Sequence, residues 1–403
     1  MTDTAPAVRT PRHLTLLLAS LSSLVVLTTD IYLPVLPQLG ADLGTSDAAA
    51  AATLSAALVG IALAQIVIGP LSDAVGRRVP ILVGLVAYAV THLLCAVAPS
   101  IGILLGLRVL SGLATAAVIV VSRAIVADAF PGNQAARAFA TLGAVFGIAP
   151  VVAPLAGGLL AHVMSWRGMF VVLAGVAALL LAVTWRALPE TLPPERRTPP
   201  HLGAVVKELG EVLVHRRFLA YVVVLSAVGG VLFGYIGASA FVLQDEFGLS
   251  PQAYSYVFAV NSVGIFALSV ATRQLVARVG APRLLTIGQL ATVVGSVGLV
   301  LGVWWSSLPL VLVGMFVAIG SLGLVMPNAT ALGMRQAEGR AGSAAGVMGI
   351  CQFTVGALAS PLAGLGGSAW SMVVVIGVSA VAGLVLRVLL QLPDRHPSPG
   401  GTA

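Results

Sequence analysis

Charge is scarce in this chain: 9% of its 403 residues are Asp, Glu, Lys or Arg, against 58% hydrophobic. Soluble domains carry about 25% charged residues, so this composition excludes an ordinary water-facing surface. The mean hydropathy of +1.04 places the chain in lipid. Cysteine is nearly missing too. Cys95 and Cys351 lie inside apolar runs and read as small packing residues, which excludes a disulfide framework. No His/Asp/Glu cluster has metal-ligand spacing and no nucleophile motif occurs, so neither an enzyme nor a metal cofactor is expected. A G-x-x-x-x-G-K-[ST] loop is also absent, which removes ATP as the energy source. Aromatic residues are 6% of the chain, so any binding cavity should be mainly aliphatic.

What is present is a series of apolar segments of about 20 residues, the length a helix needs to cross a bilayer. About twelve are expected, near 14–36, 49–70, 79–98, 101–122, 138–161, 166–187, 218–243, 252–272, 283–304, 308–331, 342–366 and 369–391. Turn residues or charges separate them: Pro37 to Asp47, Asp73 to Arg78, Pro99-Ser100, Pro131-Gly132, Asp245 to Pro251 and Gly339-Arg340. The fold class is therefore all-α and polytopic. Arg9, Arg12 and His13 precede the first segment as in a signal peptide, but its length and the lack of a cleavage motif keep it as the first helix.

A net charge of +7 would suggest nucleic acid in a soluble protein, yet here the basic residues sort by loop and no nucleic-acid partner is expected. Arg77, Arg78, Arg123, Arg137, Arg273, Arg278, Arg283, Arg335, Arg340 and the terminal arginines fall on one side. Asp42, Asp47, Asp245 and Glu246 fall on the other, with Arg167. By the positive-inside rule both termini are cytoplasmic. Lys207 is the only lysine, a compositional pointer to a GC-rich bacterial genome.

Residues 188–217 interrupt the hydrophobic pattern with five prolines and a charge cluster, and a short amphipathic stretch is expected around 203–215. The division is an N-terminal bundle (1–187), a cytoplasmic linker (188–217) and a C-terminal bundle (218–403). The halves echo each other. Pro154-Leu155-Ala156-Gly157 recurs as Pro361-Leu362-Ala363-Gly364, and Val75-Gly76 as Val279-Gly280. Two pseudo-symmetric six-helix units follow, with substrate bound near the midplane between them.

One acid, Asp30, lies within an apolar segment, where a charge costs roughly 2.5–3.5 kcal/mol on insertion scales. If the first helix ends near Leu36, Asp30 sits about 9 Å below the surface, and Arg108 of the fourth segment about 10 Å below the same surface. The matched depths predict an Asp30–Arg108 pair, and moving Arg108 between two states would switch the affinity of Asp30 for a proton. Gly69-Pro70-Leu71-Ser72-Asp73-Ala74-Val75-Gly76-Arg77-Arg78 reads as a tight turn in which Asp73 caps or pairs with the arginines. Pro150 and Pro154 bend the fifth segment, while Gly157 and Gly158 allow a neighbour close. Tyr32, Phe146, Tyr235, Phe258, Asn261, Asn328, Gln352 and Phe353 are candidates to line a cavity, and His92 is expected to be hydrogen-bonded packing.

These motifs carry a resemblance. The turn resembles the signature loop of the major facilitator superfamily, G-x-L-x-D-x-x-G-R-[RK]. The run Arg108-Val109-Leu110-Ser111-Gly112 resembles its fourth-helix motif, with Ser111 in place of the usual glutamine. Ala149-Pro150 to Gly157-Gly158 is similar to its antiporter motif, with alanines at the early glycines. Thr29 to Pro34, Trp166 to Phe170, Pro327 to Ala331 and Gly342 to Gly346 resemble the Bcr/CflA branch of drug:proton antiporters. The resemblance implies the major facilitator fold and a monomer in the bacterial cytoplasmic membrane. It implies export of small drugs in exchange for protons, driven by the proton gradient without a cofactor. It also implies a cytoplasmic latch at Gly69, Asp73, Gly76, Arg77, Arg78 and Asp128. Ala74 stands where the family often has a basic residue, so the latch should rest on Arg77, Arg78 and Asp128. Proton-coupled uptake of a metabolite on the same fold is the alternative.

Overall fold

The computed structural model describes residues 12–130, 133–197, 215–336 and 341–391, and among them every regular element is a helix. The first span is broken. Helix α1 (Arg12–Asp30) is followed by a 3-10 turn (Leu33–Val35) and a short α2 (Leu36–Asp42). Pro34 and Pro37 cause the break, because neither can donate to the carbonyl four residues back. The span thus ends later than Leu36 and leaves Asp30 deeper than expected.

Helix α3 (Asp47–Val75) starts on Ser46, whose side chain accepts the Ala49 N–H (3.3 Å), and stops at Gly76 with φ of 100°. There follow α4 (Arg78–Ala96), α5 (Ile101–Ala129), α6 (Asn133–Leu160) and α7 (Trp166–Ala187). The second half holds α8 (Arg216–Phe241), which runs into a π-helical turn (Val242–Glu246), and then α9 (Pro251–Val279) and α10 (Ala281–Trp304). Its tenth span is interrupted at Ser321 into α11 (Leu308–Gly320) and α12 (Leu322–Gln336), before α13 (Ala341–Ala363) and α14 (Ala369–Gln391). Helices α3, α5 and α9 run past their apolar windows, since backbone pairing need not stop where side chains become charged. Among the described residues eleven helical spans are long and apolar enough to cross a membrane, and α6 adds a shorter apolar stretch, Ile148–Leu160. The expected amphipathic stretch falls almost wholly outside the described residues, as do the breaks at Pro131-Gly132 and Gly339-Arg340.

The duplication is visible in the caps and the packing. Ser250 caps α9 as Ser46 caps α3, accepting the Ala253 N–H (3.2 Å), and α9 ends on Gly280 with φ of 87° as α3 ends on Gly76. Within the halves α6 packs on α1, and α13 on α8; across the halves α6 packs on α9, and α3 on α13. The repeat-related helices α6 and α13, which carry the two Pro-Leu-Ala-Gly runs, therefore each bridge their own bundle and the other one. The polarity is inverted relative to a soluble protein. Val83, Leu179 and Val294 are more than 60% exposed on the outside, whereas Thr28, Thr53, Arg108 and Ser111 are fully buried.

Hydrogen bonds cross between the halves from Gln244 Nε2 to Pro34 O (3.1 Å), Ser360 Oγ to Ala51 O (3.1 Å) and Ser262 Oγ to Pro150 O (3.1 Å). They lie between mid-span and the face that carries Asp42, Asp47, Asp245 and Glu246. The molecule is closed on this acidic face.

Candidate functional site

Asp30 is the last residue of α1 and is 4% exposed. The Thr29 hydroxyl donates to its Oδ1 (2.6 Å), and among the described residues no cation stands within 4.0 Å of it. Arg108, on α5, is wholly buried. Its Nη2 donates to Thr28 O (2.9 Å) and reaches the Tyr32 hydroxyl (3.2 Å), while Nε donates to Thr53 O (3.2 Å). The guanidinium carbon lies 4.9 Å from the centre of the Tyr32 ring and 5.6 Å from that of Phe170.

The expected Asp30–Arg108 pair does not form. Thr28 and Tyr32, four residues apart, share the side of the first span that meets Arg108. Asp30 lies two residues on from Thr28, about 200° around a helix that turns 100° per residue. The two charges are buried on opposite faces of one helix. Arg108 instead serves the carbonyl end of α1, where the break leaves acceptors unpaired and the helix dipole is negative. Asp30 faces the other half, close enough to the phenols of Tyr235 and Tyr254 to act on them electrostatically.

The cavity candidates separate into distinct groups. Tyr32 belongs to the Arg108 pocket: its hydroxyl meets Thr53 Oγ1 (3.0 Å) and its ring lies 5.4 Å from Phe170. Tyr235, Phe258 and Asn261 form one cluster in the second half. Asn261 Nδ2 donates to the Tyr235 hydroxyl (2.9 Å), and the Tyr235 ring stacks 5.3 Å from Phe258. Asn328 donates to Leu324 O within its own helix (2.7 Å). Gln352 and Phe353 are half-buried on α13, with Phe353 6.0 Å from Phe233. The side chain of Phe146 lies outside the described residues. His92 is packing, with Nδ1 2.8 Å from Tyr88 O and its ring stacked on Tyr88.

In the signature turn Arg77 joins three partners: Asp128 Oδ2 (2.7 Å from Nε), Asp73 Oδ1 (2.6 Å from Nη1) and Ser72 Oγ (2.6 Å from Nη1). Gly69 has open space beside it. Arg78 does not join this cluster, contrary to expectation. It opens α4, and its Nη2 donates to Trp185 O (2.7 Å). The sequence reading missed Glu190, whose carboxylate accepts the backbone N–H groups of Arg77 (2.9 Å), Arg78 (3.2 Å), Thr191 (2.9 Å) and Leu192 (3.0 Å). Burial pushes this carboxyl up, but the four amides outweigh it and hold Glu190 below the ordinary glutamate value. Its only signal in the sequence is an acid after the sixth span, which reads as a solvated charge.

The fifth span shows what its prolines and glycines do. Pro154 offers no N–H to Pro150 O, and this carbonyl is reached from the other half by the Ser262 hydroxyl, which also lies 2.9 Å from Phe258 O. A methyl group on Gly157 would run into the Ile31 carbonyl of the same half; one on Gly158 would run into the Ser255 side chain of the other.

Two repeated helical bundles, with broken spans and a buried carboxyl at their interface, define a secondary transporter. The chain belongs to the Major Facilitator Superfamily, which it matches over residues 18–361. It is 34% identical to the "Uncharacterized MFS-type transporter YdgK" of Bacillus subtilis (strain 168), covering 92% of this chain and 93% of that one. It is 29% identical to the "Bicyclomycin resistance protein homolog" of Haemophilus influenzae, covering 86% and 87%. Relatives of this kind agree with the resemblance to the Bcr/CflA branch. Among solved structures, the xylose transporter XylE from E. coli superposes with a TM-score of 0.71 at 14% identity, covering 97% of this chain and 99% of that one. The chain is a multi-pass membrane transporter, not an enzyme.

Proposed function

We propose that the protein exports small amphipathic drugs across the bacterial cytoplasmic membrane in exchange for protons, with Asp30 as the proton site. The observation that carries this is the placement of Asp30: buried, paired with no cation among the described residues, and turned toward the half that must move. Such a group changes its access to water when the halves rock, without any rearrangement of Arg108. Arg108 holds the break in the first span that aims Asp30 at the interface. The relative named for bicyclomycin resistance supports the direction of transport, as does the Pro150–Gly158 segment.

With both termini in the cytoplasm, as the loop charges imply, the acidic face is outside and the conformation is closed to the exterior. Each proton moving inward supplies about 2.3 kcal/mol per 100 mV, enough for roughly a tenfold or greater outward gradient of a neutral drug. The site chemistry leaves neutral, zwitterionic and cationic drugs all admissible. The test is drug susceptibility in a host stripped of its own pumps. Expression should raise tolerance to at least one of bicyclomycin, a sulfonamide and a phenicol, and Asp30→Asn should abolish the gain. A gain in growth on a metabolite, with no change in tolerance, would instead establish uptake.

A further inference from the structure

We propose that Glu190 is a positioning residue that ties the signature turn to the linker joining the two halves, so that turn and linker move as one piece. This rests on the reading of the chain as a rocking transporter. Helix α4 begins at Arg78 with no side-chain cap of its own, since Arg77 occupies the capping position and turns its guanidinium to Asp73 and Asp128. The first N–H groups of α4 would therefore go unpaired. Glu190, reached only after α7 has ended, supplies the missing acceptor from outside the helix: Oε1 takes the Arg77 N–H and Oε2 the Arg78 N–H. A carboxylate at this end also complements the positive pole of the helix.

Further along the same strand of chain, Arg197 lies over the turn. A methyl group added to Gly76 would meet both Glu190 Oε2 and Arg197 Nη2, so Gly76 gives the clasp its room as well as a positive φ. Residues 190–197 thus sit on the turn at two points rather than hanging beside it. The turn also fixes Arg77, whose backbone is held by Glu190 and whose side chain reaches α5 at Asp128. The end of the sixth span, the second-to-third turn and the fourth span are bound through adjacent atoms of one residue.

The test is residue-resolved hydrogen exchange on the purified full chain in nanodiscs, run beside transport. In Glu190→Ala the Arg77 and Arg78 amides should exchange about tenfold faster or more, as expected for the loss of a charged acceptor. In Glu190→Gln the Arg77 amide should stay protected and only Arg78 should be released, because one oxygen becomes a donor. Trypsin should cleave the alanine variant severalfold faster after Arg196 and Arg197. Maximal transport should fall severalfold with the apparent KM unchanged, since Glu190 touches no part of the Asp30 site. Unchanged exchange at both amides would overturn the proposal, and so would faster exchange with unaltered cleavage. If no drug is transported at all, the export reading fails, while exchange and cleavage still decide the role of Glu190. Glu190→Gln serves if the alanine variant does not fold.

Discussion

Gly157 and Gly158 are neighbours in sequence, yet a methyl added to each should have different consequences. Gly157 faces a backbone carbonyl of its own bundle, whereas Gly158 faces Ser255 across the interface. In Gly158→Ala the new Cβ would stand 2.8 Å from Ser255 Cβ, where ordinary contact begins at 3.4 Å. Rotating the serine removes its hydroxyl from the clash but not its Cβ. Overpacking of this kind costs about 1–3 kcal/mol, and here the cost is confined to the state closed on the acidic face. The equilibrium should shift by roughly 5- to 150-fold toward opening on that face. Spin labels at Ala41 and Trp305, both exposed near that face, report the change as a longer distance population, with Cys95 and Cys351 replaced beforehand. Adding Ser255→Gly should restore most of the original distribution by removing the obstacle. Gly157→Ala should lower thermal stability without the shift, because its obstacle is main chain within one half. An unchanged distribution in Gly158→Ala, or failure of Ser255→Gly to reverse it, would refute this account of the interface.

Other perturbations follow the same geometry. Ser262→Ala leaves the Pro150 carbonyl without its partner across the halves and should weaken closure by about 0.5–1.5 kcal/mol, read from the same spin pair. Arg108→Lys keeps the charge but cannot serve the Thr28 and Thr53 carbonyls and the Tyr32 hydroxyl together. Transport should fall at least tenfold despite the retained charge, and wild-type rates in this variant would contradict the capping role. The Glu190 clasp has a defined pH dependence. Its carboxyl is held below the ordinary value of 4.5, so its contribution is complete above that value and lost as pH falls through the lower folded one. The difference in melting temperature between wild type and Glu190→Ala should therefore be constant near neutrality and shrink below pH 4.5.

The span pattern was legible in the sequence because hydrophobic length and loop charge are both one-dimensional signals. The internal duplication was legible as well, in the Pro-Leu-Ala-Gly and Val-Gly repeats. Depth could be counted at about 1.5 Å per residue, which is why Asp30 and Arg108 looked like a pair. Azimuth was the missing coordinate. The side of the first span that meets α5 depends on the packing that carries Thr28 and Tyr32 to Arg108, and on a break that lets Asp30 end the helix facing the other half. Glu190 was illegible for a related reason. Its two partners in the signature turn are backbone amides more than a hundred residues away, and backbone donors leave no trace in side-chain identity. The Ser262–Pro150 contact was half legible: the proline announced a freed carbonyl, but not who would take it.

Drug-induced proton release from the purified protein tests the central claim most directly. In weakly buffered solution near neutral pH, adding a transported drug should release protons from the wild-type chain in proportion to drug bound. Asp30→Asn should bind the drug and release none. Equal release from both proteins would place the exchanged proton on a group other than Asp30.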